Sequence, residues 1–306
     1  MSNWIDLLDP TDEEIRAHAP GDLEPRLLDL FTRRADPVDA ARPFLRGFGT
    51  YVAGTVVAAV LDADRDRLYY QEVDLIVTRE RVVTIRKTPD GEEAYDPQAV
   101  HDICAQKQHA SPGMVAYYLF EDVAERYLDL VDGLDDEVDE LEEHITSWPS
   151  DQIRRRLSEL RHDLLRIRRT LSPTRDAVRG VVDGRVDIDA GLMRREIFPE
   201  EIERSFGTVH DKLLRASESL DYTRDLLAAA RDHHSSEIAT EQNEVIKRLT
   251  VIASLLLFPT FIVGLYGQNF HNMPELRWHF GYAFSWLVII AVTVGQLAFF
   301  RWKKWI

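Results

Sequence analysis

No charged side chain interrupts the run from Leu249 to Tyr266, eighteen positions dominated by Val, Ile, Leu and Phe. A second uncharged run, Phe280 to Phe300, follows a short polar interval. Either run, wound as a helix, is long enough to cross the hydrocarbon of a bilayer, and in lipid a helix satisfies its own backbone polar groups. The chain is therefore expected to end in a transmembrane hairpin over residues 241–306. Its first span covers about 249–266, its outer loop 267–280 and its second span about 281–300, before a basic tail. Lys247 and Arg248 precede the first span, and Arg301, Lys303 and Lys304 follow the second. In the loop Glu275 and Arg277 cancel, so the positive-inside rule places both termini in the cytoplasm. Trp278, Tyr282, Trp286, Trp302 and Trp305 mark the two ends of the second span, as interfacial anchors do.

Within the first span, Ile246, Thr250, Ala253, Leu257, Thr260, Gly264 and Gly267 recur in alternating steps of four and three, which places them on one stripe of a helix. The stripe is mostly small or hydroxylated, whereas Leu249, Ile252, Leu255, Leu256, Phe258, Phe261, Ile262 and Leu265 occupy the other faces. Small residues on one line serve close helix packing in membranes; the same line also suits the wall of a water-filled pore. Periodicity leaves both open.

The formal charge of −16 is unevenly spread. After residue 240 there are three acids and six bases, so residues 1–240 hold fifty acids and thirty-one bases. A surface so acidic argues against nucleic acid as a partner and raises the local concentration of cations. A single cysteine, Cys104, excludes an intrachain disulfide and a thiolate metal cluster. His101, three residues before it, reads with it as a half-buried structural pair. Residues 1–10 lack the apolar core of a signal peptide. The chain has no phosphate-binding glycine loop, no His-Glu-x-x-His and no nucleophile with an evident base, so an enzyme is not expected and neither is a prosthetic group.

Upstream of the hairpin the texture changes twice. Residues 1–48 scatter five prolines among short apolar clusters, consistent with one or two short helices, one of them over Pro25–Arg34. Thr50–Asp62, Arg67–Thr78 and Arg81–Lys87 are rich in β-branched residues or alternate apolar with polar, and predict three strands. These elements make a mixed α/β domain over 1–112. From 113 to 240 the pattern is helical. Val115 to Ile145 keeps a three-to-four apolar spacing up to Trp148-Pro149-Ser150, with Ser150 a candidate N-cap for a second helix ending at Pro173. The first of these helices is acidic between Asp132 and Glu143 and the second carries seven arginines, so the pair is expected to match charges. Glu200 to Tyr266 then lacks a strong breaker apart from Gly207, Pro259 and Gly264, and predicts one stalk helix of about 100 Å. His233 and His234 are expected on its solvated face.

Three segments together resemble the CorA family of two-span divalent-metal channels: Asn243-Glu244-Val245-Ile246-Lys247-Arg248-Leu249-Thr250, Tyr266-Gly267-Gln268-Asn269-Phe270 and Met273-Pro274-Glu275-Leu276. The basic end Arg301-Trp302-Lys303-Lys304-Trp305 fits, and so do Leu134–Glu142 and Leu164–Arg169 upstream. The resemblance covers 115–306 well and the strand-rich part loosely.

It implies an α+β cytoplasmic domain on a long helical stalk with two C-terminal transmembrane helices, assembled as a funnel-shaped homopentamer in the cell membrane. It also implies passive flow of hydrated magnesium, often with cobalt and nickel. Gly267, Gln268 and Asn269 would form the selective mouth. Asn243 would line the inner end, with Ile246, Leu249 and Leu257 as apolar constrictions and Thr250, Ala253, Thr260 and Gly264 along the wall. Magnesium keeps several of its waters, so neutral amide and carbonyl oxygens suit its hydration shell. The chain departs from the family in having Gln268 where Met is usual and Pro259 one position late. Of the intracellular sensor motif only Asp211 remains, in Gly207-Thr208-Val209-His210-Asp211. Two alternatives stand beside this reading: a ZntB-like zinc transporter, and a membrane-anchored coiled-coil sensor that does not conduct.

Overall fold

The structure is a computed structural model that describes residues 3–36, 38–62, 67–107, 110–186, 197–268 and 273–306. It divides into two compact units, Met1–Arg231 and Asp232–Ile306.

The first unit is built on a five-stranded sheet: β1 (Trp4–Leu8), β2 (Phe44–Gly47), β3 (Val52–Asp62), β4 (Arg67–Val77) and β5 (Val82–Arg86), in the order β1-β5-β4-β3-β2. The three strands expected from alternation are β3, β4 and β5, and their antiparallel register pairs Val56 with Val73 and Ile76 with Val83. The two edge strands were not legible. β1 is five residues long and pairs in parallel with β5, Trp4 opposite Val82, and neither its length nor a partner so far along the chain leaves a local signal.

Short helices α1 (Asp12–His18) and α2 (Pro25–Thr32) cover one face of the sheet. There Ile15, Leu27, Leu28 and Phe31 pack on Ala53, Ile76, Val83 and Ile85. A capping box of Thr11 and Glu14 starts α1, and Pro25 occupies the first turn of α2. Beneath α2 lies a buried polar network. Lys87 Nζ stands 2.7 Å from Asp74 Oδ2 and 3.5 Å from Glu72 Oε2, and donates to Leu30 O at 2.9 Å. Thr55 Oγ1 donates to Asp74 Oδ1 at 2.5 Å. Burial pushes the Asp74 carboxyl up to about 6, against the opposing pull of Lys87 and Thr55.

The other face carries the larger core, which runs without a break from the sheet into α3 (Gln98–Gln106), α4 (Pro112–Glu143), α5 (Ser150–Val182) and the first part of α6 (Glu200–Tyr266). In α3, a helix too short to announce itself, His101 stacks on Trp4 with ring centroids 3.7 Å apart, and Cys104 is half-buried. Both residues are packing groups. The Ser111 hydroxyl caps α4, and Tyr127 ties the helix to the sheet by donating to Val57 O.

Two expectations for α5 need correction. Pro149, not Ser150, is the capping residue, and no side chain caps the end. The helix also runs through Pro173 to Val182. An interior proline costs about 3 kcal/mol, but Leu171, Thr174, Ala177, Val178 and Val181 are all buried along this stretch, and their burial outweighs that cost. The α4–α5 charge match is also narrower than block composition implied. Arg156 reaches Glu137 of α4, while Arg168 turns to Asp221 at 2.9 Å and Arg166 lies over the Tyr70 ring.

The last long element is α6 (Glu200–Tyr266), 67 residues without interruption, as expected. Within the first unit its buried seam is Phe206, Val209, Leu213, Ala216, Leu220, Thr223, Leu227 and Ala230. The same spacing carries one step on to His234, which is only 6% exposed. The expected solvated face therefore holds for His233 and fails for His234: adjacent residues on a helix point about 100° apart.

Candidate functional site

The second unit consists of the rest of α6, a 3-10 turn at Pro274–Arg277 and α7 (Gly281–Trp302). Among the described residues two helices, α6 and α7, are long and apolar enough to cross a membrane. Their apolar stretches are almost wholly uncovered within one chain.

The helices meet along a single seam. Val251 (4% exposed) and Ile262 (8%) are buried on α6, and Ser254, Leu255, Pro259 and Tyr266 are half-buried. On α7 the half-buried positions Ser285, Val288, Ile289, Val292, Thr293 and Gln296 recur at helical spacing. Gln296 Nε2 donates to Ser254 O at 3.4 Å, an interhelical amide contact of the kind that holds membrane helices together. Gln296 was missed in the sequence. The available signal was a lone amide near the middle of an uncharged span, where a polar group needs a partner.

The predicted stripe lies about half a turn around α6 from this seam. Asn243, Ile246, Thr250, Ala253, Leu257, Thr260 and Gly264 are all exposed, Leu257 at 69%. One helix thus gathers them on one line, and α7 leaves that line open. Leu249 (60% exposed) falls beside the stripe instead of on it. Gly267, at the far end, borders the cleft that Pro259, Ile262 and Tyr266 form with Tyr282, Trp286 and Ile289. Its N–H donates to Val263 O at 2.9 Å, which keeps the helical turn closed to this point. Gln268 is exposed, and Asn269 lies outside the described residues. The two stripe hydroxyls are held by their own helix: Thr250 Oγ1 donates to Ile246 O at 2.8 Å and Thr260 Oγ1 to Leu256 O at 2.7 Å.

Pro259 sits inside α6, and its missing N–H leaves the Leu255 carbonyl without an intrahelical partner. Near the basic end of the span, Arg248 pairs with Glu244 at 3.6 Å, both exposed. Asp211 stands apart from all of these. It is exposed on α6 beside His210, at 3.8 Å, and among the described residues no group of three His, Cys, Asp or Glu is arranged to hold a metal ion. The described residues of one chain therefore gather no such group around Asp211.

A sheet-and-helix body, one 67-residue helix and a second apolar helix packed against its end give a large polar domain joined to two candidate membrane-spanning helices. The family model described as CorA-like Mg2+ transporter protein matches residues 2–304, so the chain belongs to that family and is a membrane transporter. Among curated relatives, the cobalt/magnesium transport protein CorA of Thermotoga maritima is 28% identical over 269 residues, 87% of this chain and 73% of its own. Among solved structures, the complete CorA magnesium transporter of Methanocaldococcus jannaschii superposes with a TM-score of 0.78 at 19% identity, covering 99% of this chain and 91% of that one. The cytoplasmic domain of ZntB from Vibrio parahaemolyticus shares the fold at a TM-score of 0.58 and 10% identity, over 78% of this chain and 88% of its own.

Proposed function

We propose that the chain forms a homopentameric pore that carries hydrated divalent cations, magnesium first and cobalt and nickel after it, across the cell membrane. Both termini are on the cytoplasmic side. The observation that carries this reading is the open stripe from Asn243 to Gly264. The seam with α7 buries the opposite side of α6, so copies arranged around an axis can turn the stripe inward without losing any intrachain contact. Family membership supports the same arrangement.

In this reading Ile246 and Leu257 form apolar constrictions that close by dewetting, with Leu249 at their flank. Thr250, Ala253, Thr260 and Gly264 keep the wall narrow and wettable. Gly267, Gln268 and Asn269 offer neutral oxygens to the water shell of the ion, which magnesium surrenders reluctantly. Rings of neutral oxygens bind weakly enough for release, as conduction requires. Asp211 contributes to a regulatory cation site only if neighbouring copies add further acids, so closure by internal magnesium is weak.

The test is uptake of magnesium, cobalt, nickel and zinc into proteoliposomes holding the full chain or Asn269→Ala. Magnesium uptake that falls to background in the variant, with the oligomer intact by size, is the expected result. Unchanged uptake removes the Gly-Gln-Asn turn from the mechanism. Zinc carried in preference to magnesium moves the chain to the ZntB-like zinc-transporting alternative.

A further inference from the structure

Between α5 and α6, wholly inside the first unit, runs an apolar trough floored by Leu164, Leu165, Leu220 and Leu227. Arg161, Arg168, Arg224 and Arg231 stand around it, with Asp221 the one acid in its lining. Arg168 pairs with Asp221 and Arg224 with Asp225 just outside the lining, yet the arginines still outnumber the acids here, in a chain of net charge −16. Leu165, on the floor, is 45% exposed.

The outward face of α4 has the reverse character. Glu125, Asp129, Asp132, Asp136, Asp139 and Glu143 of α4 are exposed and recur in steps of three and four, a continuous acidic stripe. Among them Gly133 is exposed, and a Cβ added there meets nothing within 4 Å. Glycine inside a helix costs about 1 kcal/mol relative to alanine, and no contact within the chain requires it here.

The two features stand at the same height along the bundle. Lys212 of α6 reaches Glu121 and Glu125 of α4, and Thr223 Oγ1 donates to Asp135 Oδ1 at 3.1 Å, so α4 and α6 run level with one another. Arg168 of α5 is level with Asp221 by their ion pair. The trough, from Leu220 to Arg231, therefore lies level with Asp132–Glu143. Rotation about an axis along α6 leaves height unchanged, so in a ring only surfaces of equal height can meet, and a head-to-tail contact repeats until the ring closes.

We infer that the basic trough between α5 and α6 receives the acidic face of α4 from a second copy of this chain, with Leu165 seated against the bare backbone at Gly133. This contact rests on the ring proposed above and specifies its extramembrane interface. Charge complementarity fixes the direction of assembly, since trough on trough and stripe on stripe both repel.

The experiment uses the full chain in detergent, with Cys104→Ser and two differently tagged copies, one bearing Leu165→Cys and the other Asp136→Cys. Mild oxidation is expected to give mixed covalent dimers at least tenfold above the pair Leu165→Cys with Glu125→Cys, which is displaced by about 16 Å along α4. Gly133→Trp, open within one chain, is expected to leave the folded monomer intact and dissociate the oligomer. Arg161→Glu with Arg224→Glu is expected to do the same, and adding Asp136→Arg and Asp139→Arg to restore it. An intact oligomer with no excess of mixed dimer, or one indifferent to Gly133→Trp, overturns the contact and leaves the ring standing. A wild-type chain that is monomeric in detergent and in membranes overturns both.

Discussion

Polar groups and apolar groups exchange places between the two units. In the first, Lys87, Glu72, Asp74 and Thr55 are 0–5% exposed and satisfy one another beneath α2. In the second, Leu256 (65% exposed), Leu257 (69%) and Phe261 (63%) stand open, and a stripe of threonines and glycine lies bare beside them. One unit completes its core with its own atoms. The other leaves its apolar faces uncovered within one chain, and in the proposed assembly lipid covers some of them and identical helices another. The teaching is that exposure has different meanings in the two regions: in the first it marks water except where the proposed neighbouring copy docks, in the second it marks a surface awaiting its solvent.

The largest effect expected from breaking this contrast is in the first unit. Lys87→Met leaves two carboxylates buried without their cation, and removing one partner of such a pair costs about 3–5 kcal/mol. Denaturant unfolding of the full chain, followed by amide exchange in β4, should register that loss. A change below about 1 kcal/mol would mean that water reaches the network.

Next in size is the distinction between a lipid-facing and a pore-facing position. Ile290→Lys, exposed at 56% midway along α7, should cost about 2.5–3.5 kcal/mol of insertion and lower the membrane-integrated fraction. Thr260→Lys on the stripe should integrate normally and alter conduction instead. Equal losses at both positions would turn the stripe toward lipid.

A smaller effect sharpens the buried network. Because the Asp74 carboxyl is raised from 3.8 to about 6, the fold favours its protonated form. Its burden on stability is absent below about pH 4, grows as pH rises and is fully present above about pH 6. Asp74→Asn should flatten the dependence of β4 exchange on pH across that window, and an unchanged slope would assign it to another group. Smallest is Gln296→Leu, which removes one interhelical amide contact worth about 0.6 kcal/mol. It should shift thermal unfolding of the hairpin by no more than a few degrees. A collapse of the hairpin would mean that Gln296 holds more than Ser254.

What could be read in advance followed the strength of the local signal. The two apolar runs, the open stripe, strands β3–β5 and the single helix over 200–266 each repeat one pattern over many residues, and periodicity accumulates with length. β1, β2 and α3 are four to nine residues long, and they exist because distant partners, Val82 for Trp4 and Thr55 for Phe44, complete them. Pro173 misled because a strong local preference was outweighed by burial on both sides of it. His234 misled because two adjacent histidines were assigned to one face, although a helix separates neighbours. Of the candidate site, the stripe was legible as geometry, and Gln296 was not, since its role depends on which carbonyl of α6 happens to face it.

In the proposed pore, the bonds made by Thr250 and Thr260 have a consequence for the sign of what can pass. Each hydroxyl hydrogen is committed to a carbonyl one turn back along α6, so the oxygen turns only lone pairs outward. Water arriving with its hydrogens foremost is accepted there, and that is how water is oriented around a cation. The shell of an anion points its hydrogens inward and asks its surroundings for donors, and neither threonine offers it one.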